Sequence, residues 1–171
     1  MSVPLITLIR PVVAKLAAEH RIKGGAAPEA MLVAIGLQES RFRVRDQIVP
    51  GKPPGKIGPA TGFWQFERGG GVKGVMGHPA SKGPARLMVM DAGLAFDAND
   101  IWESFAATQG DELACAFARL LLFTDPAALP RLHPDEAEEA WQTYLRCWRP
   151  GSPHRETWDA FWNQALALVL A

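Results

Sequence analysis

Between Ala30 and Leu37 the chain carries no polar side chain: Met31, Leu32, Val33, Ile35 and Leu37, with Ala30, Ala34 and Gly36, cover every side of a helix. A helix that is apolar all round has to be enclosed by other elements, so this segment predicts a central buried helix from Pro28 to about Ser40. Pro28 suits its first turn, where a missing N–H costs nothing. Gln38 and Glu39 follow at its far end, so two polar groups leave the apolar helix where the chain changes character.

The partners of that helix are also predicted to be helical. Alternating strand patterns are scarce, and the helical period recurs between Pro and Gly breaks. An apolar segment runs from Pro4 towards His20 and ends at Gly24 and Gly25. Further helices are expected over Pro84 to Phe96, Ile101 to Ala107, Asp111 to Phe123, from Pro134 through Trp148, and Arg155 to Leu170. Asp111 is placed to cap one of them, and Leu113, Phe117, Leu120 and Leu121 form its buried stripe. About six or seven helices in an all-α fold follow. Residues 41 to 83 stand apart, with Pro50, Gly51, Pro53, Pro54, Gly55, Gly58, Pro59 and Gly69 to Gly71 and little periodicity. A loop region of that length inside a compact domain is usually functional.

Composition sets the class. Of 171 residues 48% are apolar and 21% charged, with six Trp. That balance excludes a disordered chain and suits one folded domain over 1–171. No apolar run approaches the roughly 20 residues of a membrane span. Cys115 and Cys147 lack metal-ligand spacing and read as reduced core residues, so no metal and no cofactor are expected. The zero net charge hides an asymmetry: residues 1–86 hold 13 Lys plus Arg against 5 Asp plus Glu, and residues 87–171 the reverse. The two halves either complement each other within the fold or leave a basic lobe for an anionic polymer.

Glu39 is the candidate with chemistry. Apolar neighbours one turn back would raise its pKa, and a carboxyl kept protonated near neutral pH is what the leaving oxygen of a glycosidic bond requires. The same residue is equally placed to pair with Arg41 or Arg43. Around it, Glu39-Ser40-Arg41-Phe42, followed by Ala60-Thr61-Gly62-Phe63-Trp64-Gln65-Phe66, resembles the paired motifs of lysozyme-like lytic transglycosylases. The resemblance covers Ala30 to Phe66. It implies a lysozyme-like domain in which Glu39 is the acid, Ser40 supports it, and Gln65 contacts substrate. Gly62, Phe63, Trp64 and Phe66 would line the sugar cleft, with Phe63 or Trp64 packed on a sugar ring.

Three departures accompany it. The segment between the motifs is long, so that Pro50 to Pro59 is a candidate insertion over the cleft. The serine that often precedes the second motif falls near Lys56. A Tyr-Asn-Ala-Gly block is absent, and Phe123, in a comparable place, lacks the tyrosine hydroxyl. The stretch Tyr144 to His154 looks like those of phage and prophage lysozyme-like proteins.

A hydrolase needs a second carboxylate, about 5 to 5.5 Å from the acid for retention or about 6.5 to 9.5 Å for inversion; Asp46 and Glu67 are the candidates. A lytic transglycosylase needs none. Asp46, among Arg41, Arg43 and Arg45, reads more readily as an ion-pair partner. Gly69 to Gly74 lacks the spacing of a phosphate loop, His78 and His133 read as turn or cap residues, and Trp141, Trp148, Trp158 and Trp162 as core.

The expectation is therefore an enzyme that cleaves the β-1,4 bond between N-acetylmuramic acid and N-acetylglucosamine, its partner a peptidoglycan strand. The alternatives are a lysozyme or chitinase-like hydrolase, a catalytically silent glycan-binding part of a phage particle, or, least, a nucleic-acid binder. Met1 to Ala18 lacks the pattern of a secretion signal. The chain is accordingly expected to be made in the cytoplasm and to reach the wall through a holin-like pore, lysis or a virion.

Overall fold

The structure, a computed structural model, describes residues 3–171 and is all-α. A π-helical turn over Leu5–Ile9 runs straight into α1 (Arg10–His20), and α2 (Ala26–Glu39) follows. A two-residue antiparallel pair, β1 (Ala60–Thr61) with β2 (Phe66–Glu67), matches Ala60 to Glu67 and Thr61 to Phe66. Then come α3 (Lys73–Gly77), α4 (Pro79–Asp91), α5 (Ala98–Ser104), α6 (Asp111–Thr124), α7 (Ala137–Trp148) and α8 (Arg155–Leu170).

The expected central helix is α2. Every residue from Pro28 to Leu37 is buried, and α8 and α6 pack against it. One hydrophobic core runs from Leu5 to Val169 and takes in the α6 stripe together with Trp158, Trp162, Ala165 and Leu166 of α8. Buried indoles need an acceptor for their N–H, and both indoles of α8 have one: Trp158 donates to the Ala137 carbonyl (2.9 Å) and Trp162 to that of His133 (3.0 Å). His78 and His133 act as caps, their Nδ1 atoms accepting from the N–H groups of Ala80 and Asp135. No helix of the described residues is long and apolar enough to cross a membrane.

Three local expectations are corrected. The helix expected from Pro84 begins at Pro79, because the His78 cap and Pro79 in the first turn start it earlier and leave Pro84 inside at the loss of one hydrogen bond. Asp111 does not cap α6; its carboxylate instead takes both guanidinium arms of Arg45, at 2.6 and 2.7 Å. The glycine-rich region is not all loop, since α3 and a π-helical turn over Arg68–Val72 lie within it. The charge asymmetry is partly balanced inside the fold, where Arg45–Asp111 and Lys15–Asp91 join the basic half to the acidic half.

Gly36 fixes the end of α2. Phe42 follows two residues after the helix cap with φ +53°, and its ring lies directly on the Gly36 backbone. A Cβ at Gly36 would stand 2.1 Å from Phe42 Cζ. Helix propensity alone would favour Gly36→Ala by about 1 kcal/mol. Overpacking of this contact costs about 1–3 kcal/mol and must win at 2.1 Å. Urea unfolding of Gly36→Ala is expected to show a lower midpoint; a higher one would mean that Phe42 moves aside freely.

Candidate active site

Beyond Glu39 the chain reverses through two consecutive left-handed residues, Arg41 and Phe42 (both φ +53°). Such backbone is costly for non-glycine residues and persists where the surroundings hold it. Ser40 supplies part of that hold. Its buried hydroxyl donates to the Phe63 carbonyl (2.7 Å) and accepts from the Phe42 N–H (3.1 Å), which ties the helix end to the 60s loop. Backbone bonds from Gly62 N–H to Arg45 O (2.7 Å) and from Gln47 N–H to Ala60 O (3.1 Å) close the same layer.

Gly62 turns the loop in the left-handed region (φ +75°), with the Phe105 Cβ 3.2 Å from where its own Cβ would be. Neither the conformation nor the space suits another residue. Trp64 is wholly buried, and its indole N–H donates to the Leu32 carbonyl halfway along α2 (2.9 Å). Gln65 follows with φ +48°. Its amide nitrogen donates to the Gly62 carbonyl (2.8 Å), which fixes the side chain against its own turn.

These elements form one wall of an open groove of about 640 Å³. Gln38, Glu39, Gln65, Phe66 and Glu67 line it together with Tyr144, Trp148 and Arg149 from the α7 end, and with Pro150 to Ser152 and His154 at the rim. Gln38 holds the rim in place, donating to the His154 carbonyl (2.9 Å) and accepting from the Thr157 hydroxyl (3.0 Å). Trp148 ties the end of α7 to the 60s loop through its N–H to the Trp64 carbonyl (2.9 Å).

Glu39 receives a hydrogen bond from α7. Tyr144, the one tyrosine in the chain, donates its hydroxyl to Glu39 Oε1 at 2.6 Å. Its ring is stacked on Trp158 with centroids 5.2 Å apart and is tilted against Trp141, so the donor has little freedom to leave. Burial pushes the Glu39 carboxyl up to about 7, the Tyr144 hydrogen bond pulls against that shift, and the negative charge of Glu67 adds to it. The tyrosine hydroxyl is itself raised, first by burial and then by the neighbouring carboxylate. At neutral pH a carboxyl in this state is present in both protonated and ionised forms, so the same atom pair can give and take a proton.

Tyr144→Phe tests the wiring. Hydrogen bonds to charged groups contribute about 1.5–3 kcal/mol, and one pKa unit is worth about 1.4 kcal/mol. Removing the donor from the carboxylate is therefore expected to raise the Glu39 pKa by about one unit or more, as read by a carbon NMR titration of labelled Glu. An unmoved pKa would mean that burial alone sets the value.

Of the residues singled out from the sequence, the groove brings together Glu39, Gln65, Phe66 and Glu67, with Ser40 and Gly62 supporting it from behind. Phe63 and Trp64 are corrected from sugar platforms to core. They are 4% and 0% exposed, pack edge-on against Phe42, and present no face to the groove; Arg45 covers Phe63 at 4.3 Å. Phe123 is not on the groove: its ring lies at the surface beneath the Arg119 guanidinium.

Asp46 is an ion-pair partner as the sequence favours, of Lys52 rather than of an arginine. Burial pushes its carboxyl up, but the Lys52 ammonium and the Gly58 N–H (2.6 Å) together outweigh that effect and hold it below its ordinary value. Pro50 to Pro59 does not cover the cleft; Val44, Gln47 and Ile48 just before it line the mouth. Sequence reasoning misses Tyr144, because the resemblance points to a tyrosine after α6. The available signal is a single tyrosine on an aromatic helix face, whose hydroxyl needs a partner when buried. Among the described residues no group of His, Cys, Asp and Glu is arranged to hold a metal ion. In comparisons with protein-family models, with characterised proteins and with solved structures, the chain finds no match.

Proposed function

We propose that this chain is a lysozyme-like glycosidase that cleaves the β-1,4 bond between N-acetylmuramic acid and N-acetylglucosamine as a lytic transglycosylase. The observation that supports the reading best is Glu39 itself: a carboxyl raised to about 7 on the wall of an open groove, oriented by Tyr144. Glu39 donates its proton to the bridging oxygen as the C1–O4 bond breaks, with the N-acetyl group of the substrate stabilising C1. The ionised Glu39 then takes the proton of the muramic acid 6-hydroxyl as O6 bonds to C1, which closes a 1,6-anhydro ring and regenerates the acid without consuming water. Gln65, held by its bond to Gly62, orients the sugar, and Tyr144 keeps the carboxyl aimed along the groove in both steps.

A hydrolytic reading has one observation in its favour. Glu67 lines the same groove, and its charge is felt at Glu39; on this reading it serves a water molecule as the second carboxylate of a lysozyme. Mass spectrometry of purified peptidoglycan after incubation separates the readings. Products ending in 1,6-anhydro muramic acid, lighter by one water, are expected. Reducing-end products would transfer the second role to Glu67. No product from folded protein would leave a module that binds glycan without cutting it.

A further inference from the structure

The groove does not end at Glu39. A second arm of about 990 Å³ shares Glu67, Gly70, Gly71, Leu121, Trp148 and Arg149 with the first. Its charges are not balanced. Arg146 is neutralised by Asp125 at 2.9 Å, and the same carboxylate accepts from Cys147. Lys73, at the start of α3, and Arg149, at the end of α7, also line the arm, and among the described residues neither makes an ion pair. With Glu67 as the remaining carboxylate, the arm keeps a net positive charge. Arg149 is the cation common to both arms. It sits in left-handed backbone (φ 49°, ψ 52°) at the end of its helix. Glycine would be favoured at such a position. The Arg149 Nε donates to the Arg146 carbonyl (3.4 Å), and the rest of the guanidinium, without a carboxylate partner, is matched in charge and geometry to a carboxylate.

We infer that this second arm recognises carboxylates on substituents of the glycan strand through Arg149 and Lys73, and so selects acid-substituted glycan over neutral chitin. The inference rests on the proposed reading for the identity of the strand, but not on turnover. The arm holds the substituent of the residue next to the scissile bond while Glu39 acts in the first arm. Lys73 offers a mobile point charge and Arg149 a planar fork, so two carboxylates, or one carboxylate in two positions, are accommodated.

The test measures binding by calorimetry to the Glu39→Gln protein, which leaves the ligands intact. The probes are a peptide-bearing muropeptide tetrasaccharide and chitotetraose. The muropeptide is expected to bind more tightly, and Arg149→Gly is expected to weaken it roughly fivefold or more while weakening chitotetraose, which meets Arg149 only in the first arm, by less. Glycine suits the left-handed position, so the melting temperature of Arg149→Gly should hold or rise, and Arg149→Lys should restore part of the preference. Lys73→Gln should weaken the muropeptide alone in the same way. Equal affinities for the two probes, no binding of either, or equal weakening of both in the variants would overturn the inference. Failure of the cleavage reading shows separately, as an absence of products from the unmutated protein.

Discussion

Glu39→Gln is expected to abolish glycan cleavage and, at the same time, to make the protein more stable at pH 8. A positioned general acid contributes about 10²–10⁴ in rate, and the isosteric amide keeps the shape and the Tyr144 contact but has no proton to transfer. The stability gain follows from the sign of the pKa shift. Below about 4.5, the ordinary value for this group, folded and unfolded chains both hold the proton and Glu39 contributes nothing. Between there and about 7 the folded state keeps a proton that the unfolded chain has released, so stability falls as pH rises. Above about 7 the charge sits in the groove wall and its cost is complete.

That cost is on the order of 2 kcal/mol after allowing for the exposure of the carboxyl. In a chain of this length it corresponds to a melting temperature roughly 4–8 °C higher for the variant at pH 8, with no difference near pH 4. Thermal melts at the two pH values check it. A gain that is the same at both would mean that Glu39 is not held protonated by the fold, and the assignment of the acid would lose its physical basis.

The parts of this molecule that are legible in the sequence are those whose cause is local. The burial of α2 follows from eight consecutive residues without a polar side chain, and the place of Glu39 follows from the end of that run. The caps at His78 and His133 and the stripe of α6 are likewise set within one or two turns. What cannot be read depends on partners far along the chain. Tyr144 meets Glu39 across 105 positions. Asp111 is diverted from its own helix by Arg45, 66 positions away. In an irregular loop no period states which way a side chain points, and so Phe63 and Trp64 read as available for a sugar when the fold turns them inward.

Trp64→Ala discriminates between those two uses of an aromatic ring and carries the largest expected loss of stability. A platform residue removed from a groove would raise KM and leave the melting temperature nearly unchanged. Trp64 is instead enclosed on all sides, meets Phe42 and Phe63 edge-on at 5.9 and 6.4 Å, and donates to Leu32. Truncating a buried Trp costs about 3–5 kcal/mol, or roughly 6–20 °C of melting temperature at this size. The effect on the site should be just as specific. Trp64 joins the middle of α2 through its indole N–H to the end of α7 through its carbonyl, which accepts from Trp148. Loss of the ring loosens the packing between α2 and α7 that holds Glu39 and Tyr144 against each other. Trp64→Phe keeps most of the volume but not the hydrogen bond, so it should fall between the two in stability. If Trp64→Ala instead melted with the unmutated protein and lost only affinity for glycan, the ring would belong to the groove, and the packing that orients Glu39 would have to come from elsewhere.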